Sequence, residues 1–274
     1  MSRRSHVDTD LTRVVEPARM RLGALTDRLD DELRTDEFAD VDGSANGLQI
    51  GDRDGEIERV AVAVDGVAET ARRAVAADAD LLVAHHGISW GGIERITGRA
   101  YDRVSAFLDE DLALYVSHLP LDAHPELGNA AGLADAIGLA GRDPFGQHGP
   151  EYLGCAGSLA EPTTPAALRD RLADNIHTGP GTVRLLDFGP ERIEDVAILT
   201  GAGADWFDEA VAAGVDCYVT GEGQGRLYHE AREAGVSVLL GGHYATETFG
   251  VRSLADLIEG WGIETEFLDV PTGL

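Results

Sequence analysis

Lysine is absent from the chain: all 22 basic residues are arginine, set against 49 aspartates and glutamates for a formal net charge of −27 at pH 7. The carboxylates run through the whole length and do not gather in a tail. So evenly spread an acidic excess keeps a protein soluble by self-repulsion, a lever that halophiles use, and high intracellular salt is the expected setting. A nucleic-acid binder needs a basic stripe. None is visible, which argues against nucleic-acid partners.

Cysteine is scarce as well. Cys155 and Cys217 stand far apart, each inside an apolar run, and form no C-x-x-C pair. Two core thiols in a reducing cytoplasm are expected. No apolar stretch approaches ~20 residues, so no membrane span is expected. Residues 1–19 lack the apolar segment of a secretory signal and any amphipathic period. They are expected to form a disordered extension or to reflect a mis-set start.

What is present is an alternation of helical and strand patterns. Leu22, Leu25, Leu29 and Leu33 make one helical face. Apolar strand runs follow at Arg59–Val64, Leu81–Ala84 and Leu112–Val116, with helical stretches between them. That order predicts an α/β sheet. A Gly/Pro-rich passage, Gly138 to Pro150, reads as a boundary. Alternation resumes with strands at Val196–Leu199, Cys217–Val219, Val236–Leu240 and Glu264–Leu268. The expected organisation is a first α/β lobe over 20–137, a middle region over 138–190, and a second α/β segment over 191–274. With it comes a metal cleft at the carboxyl ends of the strands, where open α/β sheets gather their ligands.

The residues at those ends carry the chemistry. Leu81–Ala84 runs straight into His85, His86 and Gly87; Leu112–Val116 into Ser117, His118 and, past Pro120, Asp122. Val236–Leu240 leads to Gly241, Gly242, His243 and Glu247, and Cys217–Val219 to Thr220, Gly221 and Glu222. Adjacent histidines on a strand point to opposite faces, but a turn at Gly87 lets both imidazoles converge. His243 and Glu247, four apart at a helix start, face one side. Taken singly each has an ordinary explanation: a polar loop histidine, a turn carboxylate after proline, a solvated glutamate. Jointly they make a metal-ligand set, and histidine nitrogens with carboxylate oxygens suit zinc, manganese or iron. His6, His124, His148, His177 and His229 have no partner pattern and read as surface or loop.

The combination LLVAHHG, SHLPLDAH, TGE and GGHYATETFG, with SANGLQIG at Ser44–Gly51, resembles the family named for NGG-one-interacting factor three. These are dinuclear metal-centre proteins often labelled GTP cyclohydrolase I type 2 homologues. The resemblance runs from about Met20 to the C-terminus and is weakest between Gly138 and Gly189. It implies a two-domain α/β fold, two divalent ions per subunit in a cleft, and a toroidal homohexamer. Carried over by position, the ligands are His85, His86, Asp122, His243 and Glu247, with Glu247 bridging and His118 close by. Where the family often has Asp after Thr-Gly, with a His soon after, this chain has Glu222 and then Gly223-Gln224-Gly225.

The expected function is a dinuclear metal-dependent hydrolase acting on a small molecule. His118 and Glu222 are the candidate catalytic proton movers. The family label adds a nucleotide substrate and hydrolytic opening of a purine ring. In so acidic a chain its phosphates would have to be met by the metals and by Arg95 or Arg99. The alternative is a non-catalytic metal-binding regulatory or partner-binding protein.

Overall fold

The computed structural model describes residues 19–274. Of the expected extension only Arg19 falls in that range, where it ion-pairs with Glu56 and Glu58; residues 1–18 lie outside the described residues.

The first part of the chain runs β1 (Met20–Arg21), α1 (Leu22–Leu33), β2 (Gly47–Ile50), β3 (Glu56–Ile57), β4 (Arg59–Asp65), α2 (Ala68–Ala76), β5 (Leu81–His86), α3 (Arg99–Leu108), β6 (Ala113–Val116), α4 (Leu119–Asp122) and α5 (Asn129–Ile137). β4, β5 and β6 are parallel neighbours, and β2 lies antiparallel on the outer side of β6. Strand periodicity sorts β4 between two cores. Val60, Val62 and Val64 pack with the buried leucines of α1, while Ala61 and Ala63 pack with Ala71 and Ala74 of α2 and with Phe107 of α3. Leu29 is fully buried at the centre of the α1 face, and truncating such a side chain to alanine costs about 2–5 kcal/mol.

The second part runs β7 (Leu139–His148), β8 (Glu151–Thr163), α6 (Pro165–Asn175), β9 (Arg184–Leu186), β10 (Ile193–Leu199), α7 (Phe207–Ala213), β11 (Cys217–Thr220), α8 (Leu227–Ala234), β12 (Ser237–Leu240) and α9 (His243–Thr246). Six strands form one sheet in the order β7-β8-β10-β11-β12-β9, with β10, β11 and β12 parallel. Then α10 (Thr248–Gly260) and β13 (Glu264–Phe267) cross back, and β13 pairs in parallel with β4. The sheets therefore do not divide where the sequence segments do. The C-terminal strand completes the first sheet, and β7, β8 and β9 of the middle region belong to the second.

Two local expectations change. The Gly/Pro-rich passage is a ten-residue strand, β7, paired in a hairpin with β8. Pro144 is tolerated because β7 is an edge strand, where a missing N–H need not break a ladder. The single helix start expected to carry both His243 and Glu247 is two helices, α9 and α10, jointed at Glu247.

Candidate metal centre

The carboxyl ends of the two parallel strand sets face one another, and the predicted residues meet between them. From the first sheet come Asp65 at the end of β4, His85 and His86 at the end of β5, and His118 just beyond β6. Asp122 closes the short helix α4. From the second come Thr200 and Gly201 after β10, Glu222 after β11, and His243 and Glu247 after β12.

Each of the four histidines is held in the same manner. Nδ1 of His85 donates to the carbonyl oxygen of Ser117 at 2.9 Å. Nδ1 of His86 donates to Asp65 at 2.9 Å, that of His118 to Asp42 at 2.9 Å, and that of His243 to Glu222 at 3.0 Å. These partners are oxygen acceptors, so the proton sits on Nδ1 and the lone pair of the neutral ring on Nε2. Metal-binding histidines are oriented in this way.

The Nε2 atoms then converge on two carboxylates. Glu247 Oε2 lies 3.3 Å from Nε2 of His86 and 3.2 Å from Nε2 of His243, and its Oε1 lies 3.7 Å from Nε2 of His85. Asp122 Oδ2 lies 3.6 Å from Nε2 of His85, while its Oδ1 accepts from Asn129. Potential ligand atoms of His85, His86 and His118 lie within 4.8 Å of one another, as do those of His86, His243 and Glu247.

This nest is buried and short of positive charge. His85 is fully buried and Glu247 is 3% exposed, yet His85 Nε2 and Glu247 Oε2 have no hydrogen-bond partner. Burial opposes charge on His85, but Asp122 and Glu247 outweigh it and push its pKa up to about 10. Burial is likewise outweighed at His243, where Glu247 and Glu222 push it up to about 9. Glu247 is driven the other way: burial raises its pKa, but His85 and His243 hold it well below the ordinary carboxylate range. Lone pairs aimed at carboxylates at such distances repel unless a cation lies among them. A field that holds protons on buried imidazoles would hold a divalent ion in their place, and the donor set fits one.

The loop after β10 completes the wall. Gly201 has φ 61° and packs against the Glu247 carboxylate; that φ lies in the left-handed region that favours glycine. Its N–H donates to Thr246 Oγ1 at 3.2 Å, and that of Gly203 to Thr220 Oγ1 at 3.0 Å.

A slot of about 300 Å³ opens beside the nest, walled by Val41, Leu119, Leu153, Leu199, Trp90 and Trp206. Trp90 meets the His118 ring edge-on at 5.0 Å between centroids. Arg95 and Arg99, expected to meet substrate phosphates, are exposed and line no cavity at the nest. Arg103 lines a recess on its open side.

All seven predicted residues are therefore found at one place. Glu222 is set behind His243, and His118 stands among the potential donors. Missed from the sequence were Asp42, Asp65, Asn129, Gly201, Trp206 and Arg103. Asp65 had a signal, since it ends β4 as His86 ends β5 and pairs with it across the ladder. Asp42 had a signal only as a turn residue: it accepts locally from Ser44 and Asn46, while its bonds from His118 and Leu119 are contacts that only folding assembles.

Comparison with known proteins finds relatives in sequence and in fold. Residues 20–272 match the profile of the family Duf34/NIF3 (NGG1p interacting factor 3). A Halobacterium salinarum protein named GTP cyclohydrolase 1 type 2 homolog is 54% identical over 255 residues, covering 93% of this chain and 100% of its own. One of the same name from Treponema pallidum is 41% identical, covering 86% and 94%. A crystal structure of a Thermus thermophilus protein superposes with a TM-score of 0.84 at 33% identity, covering 93% of this chain and 100% of the other.

Proposed function

The chain belongs to the Duf34/NIF3 (NGG1p interacting factor 3) family, and from that premise we propose that it is a dinuclear divalent-metal-dependent hydrolase. One observation carries the reading: four imidazoles are tethered at Nδ1 around the buried Glu247, where His85 Nε2 and Glu247 Oε2 are left unpaired. His85, His86, Asp122, His243 and Glu247 would hold two ions of zinc, manganese or iron. Such a pair supplies Lewis acidity, polarising a substrate oxygen and acidifying water.

The chain's own residues do the rest. Asp65, Glu222 and the Ser117 carbonyl keep the Nε2 lone pairs turned inward. The apolar slot accepts a flat ring between its walls and excludes bulk water from the reacting bond. His118 takes the proton released by the attacking water on Nε2, and Asp42 stabilises the imidazolium across the Nδ1 bond. Glu222 turns His243 and is exposed enough to pass protons to solvent. The name borne by the relatives makes a purine nucleotide the first substrate to try, with hydrolytic opening of its ring.

A second reading, a metal-binding regulatory or partner-binding protein without turnover, is favoured by one feature. Trp90 exposes apolar surface at the cleft, and Ile93, Ile96, Tyr101 and Leu108 expose more along the segment that follows it. In either reading that strip would be covered by neighbouring subunits of the homohexamer that the resemblance implies. Among the described residues no helix is long and apolar enough to cross a membrane, and we place the protein in the cytoplasm. Metal analysis of protein purified at high salt, followed by turnover of GTP and a metabolite panel against a Glu247→Ala control, tests the proposal. Two ions per chain with turnover lost in the control is expected. Two ions with no turnover favours the regulatory reading, and no retained metal ends both.

A further inference from the structure

The metal nest opens on two sides, and the two sides differ in charge. The slot carries no arginine among its walls. On the other side lies a recess of about 420 Å³, lined by Asp65, His86, Trp90, His118 and His243 and by Arg103. His118, His243 and Trp90 border both spaces, so one molecule could reach from the slot, across the nest, to Arg103.

Among the described arginines Arg103 is set apart by being half-buried without a partner. Arg28, Arg95, Arg99, Arg184, Arg232 and Arg252 also form no salt bridge, but they are exposed, whereas the half-buried Arg59 and Arg142 are paired with carboxylates. Arg103 is half-buried at the middle of α3, yet among the described residues it forms no salt bridge and no hydrogen bond to another side chain. Asp65, the acidic residue sharing its recess, already accepts from His86 through Oδ1. A partly buried guanidinium whose five donors lack an acceptor is poorly satisfied within its own chain. Its planar fork matches the oxygens of a phosphoryl or carboxylate group.

We propose that Arg103 anchors the substrate by taking an anionic oxygen group on the open side of the nest, so that the substrate class is an anion-bearing molecule with a flat apolar portion. The inference rests on the metal-site reading for where the bond is broken. It does not need that reading for where the anion binds. Arg103 does not touch the reacting bond; it fixes the molecule's position over the nest, and the slot takes the opposite end.

The test is calorimetric titration of inorganic phosphate, with acetate in parallel, into wild type, R103Q, R103K and the exposed control R232Q. Each protein is used both divalent-loaded and chelator-treated. Loss of a charged hydrogen-bonded contact weakens binding by about tenfold. R103Q is therefore expected to weaken the preferred anion by that factor with its metal content intact. R103K should recover part of the affinity, and R232Q should match wild type. Tighter phosphate than acetate assigns a phosphoryl substrate, and the reverse assigns a carboxylate. Equal affinity in R103Q and wild type overturns the proposal, as does an equal loss in R232Q or no anion binding by wild type at millimolar concentration. If wild type retains no divalent ion the metal reading fails separately, and the chelator-treated pair of wild type and R103Q still decides for or against Arg103.

Discussion

A Cβ built on Gly201 would overlap Oε1 of Glu247 and lie 3.2 Å from Nε2 of His243. The glycine is thus part of the mould that sets the Glu247 carboxylate among the histidines. Gly201→Ala is expected to lose at least one divalent ion per chain. It should also lose about 1–2 kcal/mol of stability, because an alanine there is forced into the left-handed region by the φ of 61°. Metal analysis beside a thermal melt checks both. A fully loaded Gly201→Ala would mean that Glu247 is free to move and is not a ligand.

Glu247 and Glu222 both touch His243, but from opposite sides of the ring. Glu247→Gln removes negative charge from between the proposed ions and is expected to cost at least one ion and all hydrolysis, with the fold kept. Glu222→Gln removes only the carboxylate behind Nδ1. Such outer partners are worth about 10–100-fold in metal affinity, so this variant should fill both sites at high metal and empty first under chelator. Equal ion stoichiometry and equal chelator resistance in the two variants would move the bridge away from Glu247.

Asp42 gives a pH dependence whose sign follows from its position. Burial raises its pKa, but hydrogen bonds from His118 and Asn46 and the Ser44 N–H outweigh it and bring the pKa down to about 2 from an ordinary 3.8. A depressed folded value means the stabilisation is fully present above the ordinary value and is lost as pH falls through about 2. Asp42→Asn should be less stable than wild type at neutral pH, and the gap should close as both are acidified from about pH 5 toward about pH 2. Parallel curves across that window would show that the Asp42 charge contributes nothing to folding.

The acidic excess makes a further prediction. At low ionic strength the carboxylates repel over a Debye length of ~30 Å at 0.01 M, and added salt shortens that reach. Melting temperature should climb with KCl from that level into the molar range. A flat profile would leave the charge of −27 without the halophilic meaning given to it here.

Much of the site was legible in the chain because strand ends announce themselves. An apolar run of four or five residues that stops at His-His-Gly, at Ser-His, or at Gly-Gly-His marks both the strand and the group it carries. A parallel sheet then brings those ends to one edge. The spacing of His243 and Glu247 put them on one side, and they lie 3.2 Å apart although the helix breaks at Glu247. The apolar run of β4 likewise marked a strand, which the structure buries on both faces.

What the sequence alone determined is therefore the class of fold, the chemistry at each strand end and the charge of the surface. All of these are properties of short segments or of composition. Tertiary structure decided how they combine. It sent β13 back beside β4, turned the Gly/Pro-rich passage into the edge strand β7, and put Asp42 behind His118 across 76 residues of chain. It also chose Arg103 over Arg95 and Arg99 to face the nest. The reason is physical: a residue's ligands, hydrogen-bond partners and cavity depend on which segments the cores press together, and those contacts lie far beyond the reach of any local period.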